Sequence, residues 1–362
     1  MNSIFNNLKY LHIVRGLAAL IVVIFHAKYV LWVGGTMYVQ ERGLHNPLDY
    51  LLFSFDMLSS CGEQCVIIFF VLSAFVIRHS FNKYKDDLKK FYTLRLLRIY
   101  IPFLFSILFS IAVLLICVYW INPGINVTGF REYNDRIHNG FQQLSFSQIM
   151  NTIFLTEQKE YTGSNYAYWS LGHELIFYIL FPLYFKCKQY LKVILSVVFL
   201  ALFIITELRI FYFQVFFLGG LLLYDYFAGY SKGPVFRNRI IYLLILVALF
   251  ICINLSIKFI SPKVADLVTF VFCFFLFDFI LNFISKVQHW LMKLGNVSYT
   301  LYLTHLPLLL LFYSMLSLIT GKLVYYSRWP YYTGVIFALI GSIPLYYLVE
   351  KRSIAIIKKV SR

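Results

Sequence analysis

Ten apolar stretches of roughly 16–29 residues, about the length needed to cross 30 Å of hydrocarbon, leave this chain little freedom in what it can fold into. They fall near 11–33, 51–79, 99–121, 169–186, 192–207, 210–228, 240–258, 263–285, 296–317 and 332–349. In lipid, every backbone N–H and C=O must find a partner within the protein. Runs this long and unbroken therefore predict helices rather than the alternating strands of a barrel. The expected fold class is all-α, a polytopic membrane protein with about ten transmembrane helices. Composition excludes the soluble alternative: 13% of residues are charged and 60% hydrophobic, against about 25% charged in soluble domains. A length of 362 residues would hold two or three soluble domains. The apolar runs leave no room for them, and a single transmembrane domain over 1–362 without a fused soluble domain is expected.

The net charge of +16 raises the question of nucleic acid, and its placement answers it. With the N-terminus in the cytoplasm and sides alternating, cytoplasmic segments collect 22 of the 32 Lys and Arg, including Lys89, Lys90, Lys232 and Arg362. Outer segments hold acids such as Glu41, Asp49, Glu132, Asp135, Glu157 and Glu160. This bias is the positive-inside pattern, and it puts both termini in the cytoplasm. The partner it implies is a lipid bilayer, read here as the cell inner (plasma) membrane, with no nucleic acid. The first run is too long for a signal h-region, and only Trp32-Val-Gly-Gly follows it, without a small-x-small cleavage site. The six Cys show no metal-ligand spacing, so no metal is implied. Cys61 and Cys65 stand one helical turn apart, a geometry that aims their thiols poorly at each other.

Two connections are informative. The longest, 122–168, is placed outside and is rich in Asn, Gln, Ser, Gly and Tyr, with a short apolar stretch near Ile149–Leu155. A sugar-binding lid and a plain connector both fit it. The basic cytoplasmic stretch 82–98 reads as an amphipathic lead-in to the third span.

Ionisable groups in hydrocarbon cost roughly 2.5–3.5 kcal/mol each, so they tend to face the bundle interior and mark function. Arg15 and His26 share the first helix. Their spacing brings both to one face, about 16 Å apart along the axis. That suits a cation at the entrance for an anionic cofactor and a base deeper in, but equally a snorkelling Arg and a His bonded to a neighbouring helix. Arg95 and Arg98 stand i,i+3 where the basic stretch meets the third helix. Their guanidinium forks suit phosphate, and positive-inside anchoring explains them as well. Glu174 lies near the outer end of the fourth helix, where it would orient an imidazole, bind a sugar hydroxyl or cap the helix. His305 sits mid-helix in the ninth span. Glu350 ends the last span beside Lys351 and Arg352, where a surface ion pair is the simpler reading. Asp225 and Asp278 lie in apolar surroundings and receive no role.

Taken in order, these segments resemble the membrane acyltransferase-3 family, which includes O-antigen and exopolysaccharide O-acetyltransferases. Arg15, ten residues and His26 are similar to its first-helix motif, and Phe69-Phe-Val-Leu-Ser73-Ala-Phe75 to its FFxLSGF, with Ala74 where Gly is usual. Arg95-Leu-Leu-Arg98-Ile-Tyr-Ile-Pro102 resembles RxxRIxP, and Trp169-Ser-Leu-Gly-His-Glu174-Leu-Ile-Phe-Tyr178 resembles WSLxxExxFY. Ser298-Tyr-Thr-Leu-Tyr-Leu-Thr-His305-Leu-Pro307 looks like SYxLYLxHxP, and Glu350-Lys-Arg352 like a closing Glu-x-Pro that has lost its Pro.

The resemblance implies an enzyme that moves an acyl group, most commonly acetyl, from cytoplasmic acyl-CoA to a sugar or polysaccharide hydroxyl. Acyl-CoA would be held by Arg95, Arg98 and Arg15. His26 would act as general base, with Glu174 and His305 orienting the base or the acceptor. A glycan transporter using intramembrane His and Glu as relay groups is the rival reading. Transporters often show two repeated halves, and no such symmetry is visible here.

Overall fold

The structure, a computed structural model, describes residues 3–156, 160–229 and 233–361. Glu157, Lys232 and Arg362, which entered the charge pattern, lie outside the described residues. The chain is 84% helical, with no strand among the described residues. After a 3₁₀ segment, Ser3–Tyr10, the helices in chain order are α1 (Leu11–Leu31), α2 (Gly35–Arg42), α3 (Pro47–Leu58), α4 (Gly62–Phe81) and α5 (Leu88–Ile116). Then come α6 (Glu132–Gln142), α7 (Phe146–Ile153), α8 (Trp169–Lys186), α9 (Gln189–Thr206) and α10 (Arg209–Gly229). The last are α11 (Arg239–Phe259), α12 (Pro262–Phe283), α13 (His289–Thr320), α14 (Trp329–Leu345) and α15 (Lys351–Ser361). Among the described residues, nine helices are long and apolar enough to cross a membrane. The expected fourth span is α8, an 18-residue helix whose polarity comes from His173, Glu174 and Lys186.

Three expected boundaries move, each for a physical reason. The run 51–79 is two helices. Asn46 caps α3 by accepting from Asp49 N–H, with Pro47 at its first turn. The α3 C-terminus is then gathered by Lys28, whose ammonium donates to Asp56 C=O (2.5 Å), Ser59 Oγ (3.1 Å) and Ser60 Oγ (3.0 Å). The third span begins earlier than 99, so Arg95 and Arg98 lie within α5 rather than in a loop. The outer connection 122–168 is structured and carries α6 and α7, the latter capped by Ser145 accepting from Gln148 N–H.

The chain forms two compact units. The first comprises Met1–Ala18, Glu63–Thr93 and His173–Asn296. Its helices approach closely where glycine removes a side chain. A Cβ on Gly220 would lie 2.3 Å from Val71 O and 2.8 Å from Ala74 Cβ. Ala74 therefore does not prevent a close crossing, because the glycine stands on the facing helix. Three buried or nearly buried acids of this unit are held by partners. Asp225 pairs with Arg78 (3.0 Å) and with Lys192. Asp266 accepts from Gln64 (3.0 Å) and Tyr212 (2.8 Å), and Asp278 from Val235 N–H (2.9 Å) and Tyr242. Pairing of this kind offsets the desolvation cost that would otherwise expel a carboxylate from an apolar interior. These three acids read as structural.

The second unit comprises Ala19–Gly62, Leu94–Gly172 and Val297–Arg362. Asp56, fully buried, accepts from Arg328 Nε (2.6 Å) and Tyr331. Glu350 is a correction to the surface ion pair expected for it. It is 4% exposed, and its carboxylate accepts from the backbone N–H (3.0 Å) and hydroxyl (2.5 Å) of Thr300. A π-turn over Tyr346–Glu350 ends just there, and its extra residue per turn swings the acid inward.

Candidate active site

Proline organises the site. Pro307, inside α13, has no N–H to offer the carbonyl four residues back, so Leu303 C=O is released from the helix ladder. A buried carbonyl needs a replacement donor. Two arrive: Ser106 Oγ from α5 and Asn165 Nδ2 from the outer connection, both at 2.8 Å. Asn165 thereby fixes the strand of chain that carries Tyr166. The turn before it is tight enough to require Gly163, whose φ is +71° and whose added Cβ would meet Ser110 at 2.5 Å.

One residue after Asn165, Tyr166 sets its ring edge-on to His26, with centroids 5.2 Å apart and planes at 88°. His26 stacks on His305 at 4.9 Å and 12°, and His26 Nδ1 stands 2.7 Å from His305 Nε2. His305 is fully buried. Its Nδ1 faces Tyr302 O (2.7 Å) and Leu301 O (3.1 Å), which can only accept. In the neutral pair that nitrogen must carry the hydrogen, so His305 Nε2 is an acceptor. His26 Nδ1–H then donates to it, and His26 Nε2 is left with a bare lone pair. The arrangement leaves a neutral base at His26.

Arg136, on α6, closes the other side of Tyr166, its guanidinium 4.9 Å over the ring. It donates to Tyr29 OH (3.3 Å), Glu160 (3.3 Å) and Glu132 (3.1 Å). Two buried oxygens of this cluster, Tyr166 OH and Glu160 Oε2, have no hydrogen-bond partner among the described residues. Burial pushes the Glu160 carboxyl above its ordinary range despite the Arg136 charge beside it. Burial also pushes the Tyr166 phenol well up, so it stays a donor. Nearby, Arg131 spends its guanidinium on α1's terminal carbonyls, Tyr29 O (2.8 Å), Val30 O (3.2 Å) and Trp32 O (3.2 Å). A cavity of about 360 Å³ opens there, lined in part by Phe25, Tyr29, Tyr133, Glu132 and Ser60.

The family model described as an acyltransferase domain matches residues 8–349. The chain belongs to the acyltransferase-3 family. It is a multi-pass membrane acyltransferase. No curated protein and no solved structure matches it. The match takes in five of the six motif segments whole and stops one residue short of Glu350.

Of the residues read from the acyltransferase sequence, the fold brings His26 and His305 into contact within the second unit. Arg95 and Arg98 sit half-buried on α5 in that same unit. Glu174 and Arg15 belong to the first unit. Glu174 accepts from Ser73 (2.7 Å) and from Tyr178, so three motif residues meet there. Arg15 is half-buried on α1, eleven residues before His26. Tyr166, Asn165 and Arg136 were not singled out by sequence reasoning, and Glu160 entered only as one of the outer acids. The signal was present only as the polar and aromatic character of 122–168, which is folded into helices and packs on His26 through Tyr166.

Proposed function

We propose that this protein is an O-acyltransferase that moves an acyl group, most simply acetyl, from cytoplasmic acyl-CoA to a hydroxyl of a cell-surface or lipid-linked sugar at the inner membrane. The observation that carries the reading is the His26–His305 contact, which leaves His26 Nε2 as an unprotonated acceptor inside a membrane protein of an acyltransferase family. His26 Nε2 takes the proton of the acceptor hydroxyl as its oxygen attacks the thioester carbonyl. The C–S bond breaks, and the proton passes on to the departing thiolate, giving the ester and free CoA. General-base assistance of this kind contributes typically 10²–10⁴ in rate. His305 acts through His26 as a positioning residue. Arg95 and Arg98 on α5 are suited to the phosphates of CoA, where forked donors match phosphate oxygens, and Arg15, on the helix that bears His26, is a separate candidate for the same chemistry. Glu174 is assigned to holding Ser73 and Tyr178.

Mass spectrometry of surface glycans tests this, using cells that make wild type, His26→Ala or neither at matched membrane levels. The gain of one acyl group with wild type alone is expected. Equal gain with both proteins removes His26 from the centre of the reaction. Acyl-CoA that is never consumed by the purified wild type refutes the donor assignment.

A further inference from the structure

Two buried oxygens of the Arg136 cluster, one of them on the tyrosine set edge-on to His26, have no hydrogen-bond partner among the described residues. Tyr166 OH is a donor and Glu160 Oε2 an acceptor, and Arg136 lies against both side chains. A buried polar atom left unpaired costs about 1–3 kcal/mol. Phenylalanine at 166 would keep the ring on His26 and the guanidinium over its face without that cost. Glutamine at 160 would likewise avoid burying a charge. The sequence keeps the costly groups at both positions, and Tyr166 packs directly against His26.

We infer that Glu160 and Tyr166 form the acceptor subsite, and that it takes a neutral sugar through a second hydroxyl next to the one acylated. This deepens the function proposed above and rests on it. The second hydroxyl donates to Glu160 Oε2, and a sugar oxygen accepts from Tyr166 OH. One acceptor and one donor, both on side chains that lie against Arg136, suit a group that both gives and takes a hydrogen bond, which an isolated primary alcohol satisfies only in part. The aromatic rings of Tyr29 and Tyr133 nearby supply apolar faces for the C–H side of a pyranose, and the 360 Å³ cavity they line shares Tyr29 and Glu132 with the hydrogen bonds of Arg136. An acidic sugar is disfavoured, because its carboxylate would face Glu160 and Glu132 together.

The two residues also differ from a purely structural pair in what they leave available. Arg136 is already engaged by Tyr29, Glu132 and one oxygen of Glu160, so the second oxygen is not needed to hold the arginine. Tyr166 is likewise fixed by its neighbour Asn165 and by ring contacts, without help from its hydroxyl.

The test uses the purified full-length chain in lipid nanodiscs, with acetyl-CoA and a panel of methyl glycosides (glucoside, galactoside, mannoside, rhamnoside), a methyl glucuronide, and glycerol. Tyr166→Phe and Glu160→Gln keep the shape of each side chain, and their thermal midpoints check that they fold. The expected result is transfer to at least one neutral glycoside, with its KM raised about tenfold or more in each variant and the acetyl-CoA KM unmoved. A deoxy glycoside lacking the neighbouring hydroxyl should bind wild type as weakly as the parent glycoside binds Glu160→Gln. An unchanged glycoside KM in both variants overturns the subsite while leaving the acyltransferase intact. So does a wild type that prefers glycerol or the glucuronide. Absence of acetyl-CoA turnover by the wild type would fell the function itself, and the subsite with it.

Discussion

Gly16 and Gly295 let α1 and α13 touch backbone to backbone: a Cβ on Gly16 would lie 2.7 Å from Gly295 N, and one on Gly295 only 2.4 Å from His12 O. No side chain can yield there, because the atoms in the way belong to helix main chains. In a membrane, where helices gain little from hydrophobic burial against each other, close contact between small residues is a main source of association. Gly16→Ala should therefore cost about 1–3 kcal/mol, as overpacking typically does, and lower the amount of folded protein. The measurement is the thermal midpoint and membrane level of the variant. An unshifted midpoint would mean the helices can part freely at this point.

His305 offers a graded test of its role. Glutamine can present an oxygen where Nε2 now accepts from His26, while alanine offers nothing. His305→Gln should retain more transfer than His305→Ala, which should lose roughly 10–100-fold in kcat with little change in the acyl-CoA KM. Loss of a partner that orients a catalytic imidazole acts on the chemical step rather than on binding. Steady-state kinetics in detergent or nanodiscs would decide it, and equal activity in the two variants would refute a role through that hydrogen bond.

Asn165→Ala removes one of the two donors that Pro307 makes necessary at Leu303 C=O. Ser106 remains, so the carbonyl is not orphaned and the fold should survive with a loss of about 1–2 kcal/mol. Activity should fall further than stability, because Tyr166 loses the anchor next to it. A variant that loses stability but keeps wild-type kcat would show that the segment does not need Asn165 to hold Tyr166.

The pH dependence of stability has a definite sign at Glu160. Burial raises its pKa in the folded protein above the ordinary value, so between the two values the folded state binds more proton than the unfolded one. This contribution to stability is present below the ordinary carboxylate pKa and is lost as pH rises through the raised one. Wild type should thus lose stability relative to Glu160→Gln over that window and run parallel to it above. Thermal midpoints from pH 4 upward would show this, and parallel curves throughout would mean that Arg136 cancels the burial.

Much of the helix plan could be read in advance because lipid permits so few backbone arrangements, and the runs that specify spans are long. The break after Leu58 could not, since it is held by Lys28 reaching one carbonyl of α3 and two hydroxyls of the turn that follows, and no local pattern announces that contact. The same holds within the site. His26 and His305 stand out because an imidazole is costly in an apolar helix. Arg136, Glu160 and Tyr166 do not, because a polar outer connection is ordinary and its residues gain meaning only when Asn165 pins it to Leu303. Glu350 was misread for a related reason: its neighbours in sequence, Lys351 and Arg352, suggest a surface pair, whereas the π-turn carries it to Thr300.

The hydrogen on His305 Nδ1 is dictated by the carbonyls of Leu301 and Tyr302, which are main-chain atoms of the same helix. Side-chain substitution at those two positions cannot erase the instruction, so drift in their identity is free to serve packing against neighbouring helices. The readiness of His26 is thus inherited from helical geometry itself, and a lineage could rebuild the surrounding pocket for a new acceptor without having to reinvent the proton arrangement at its centre.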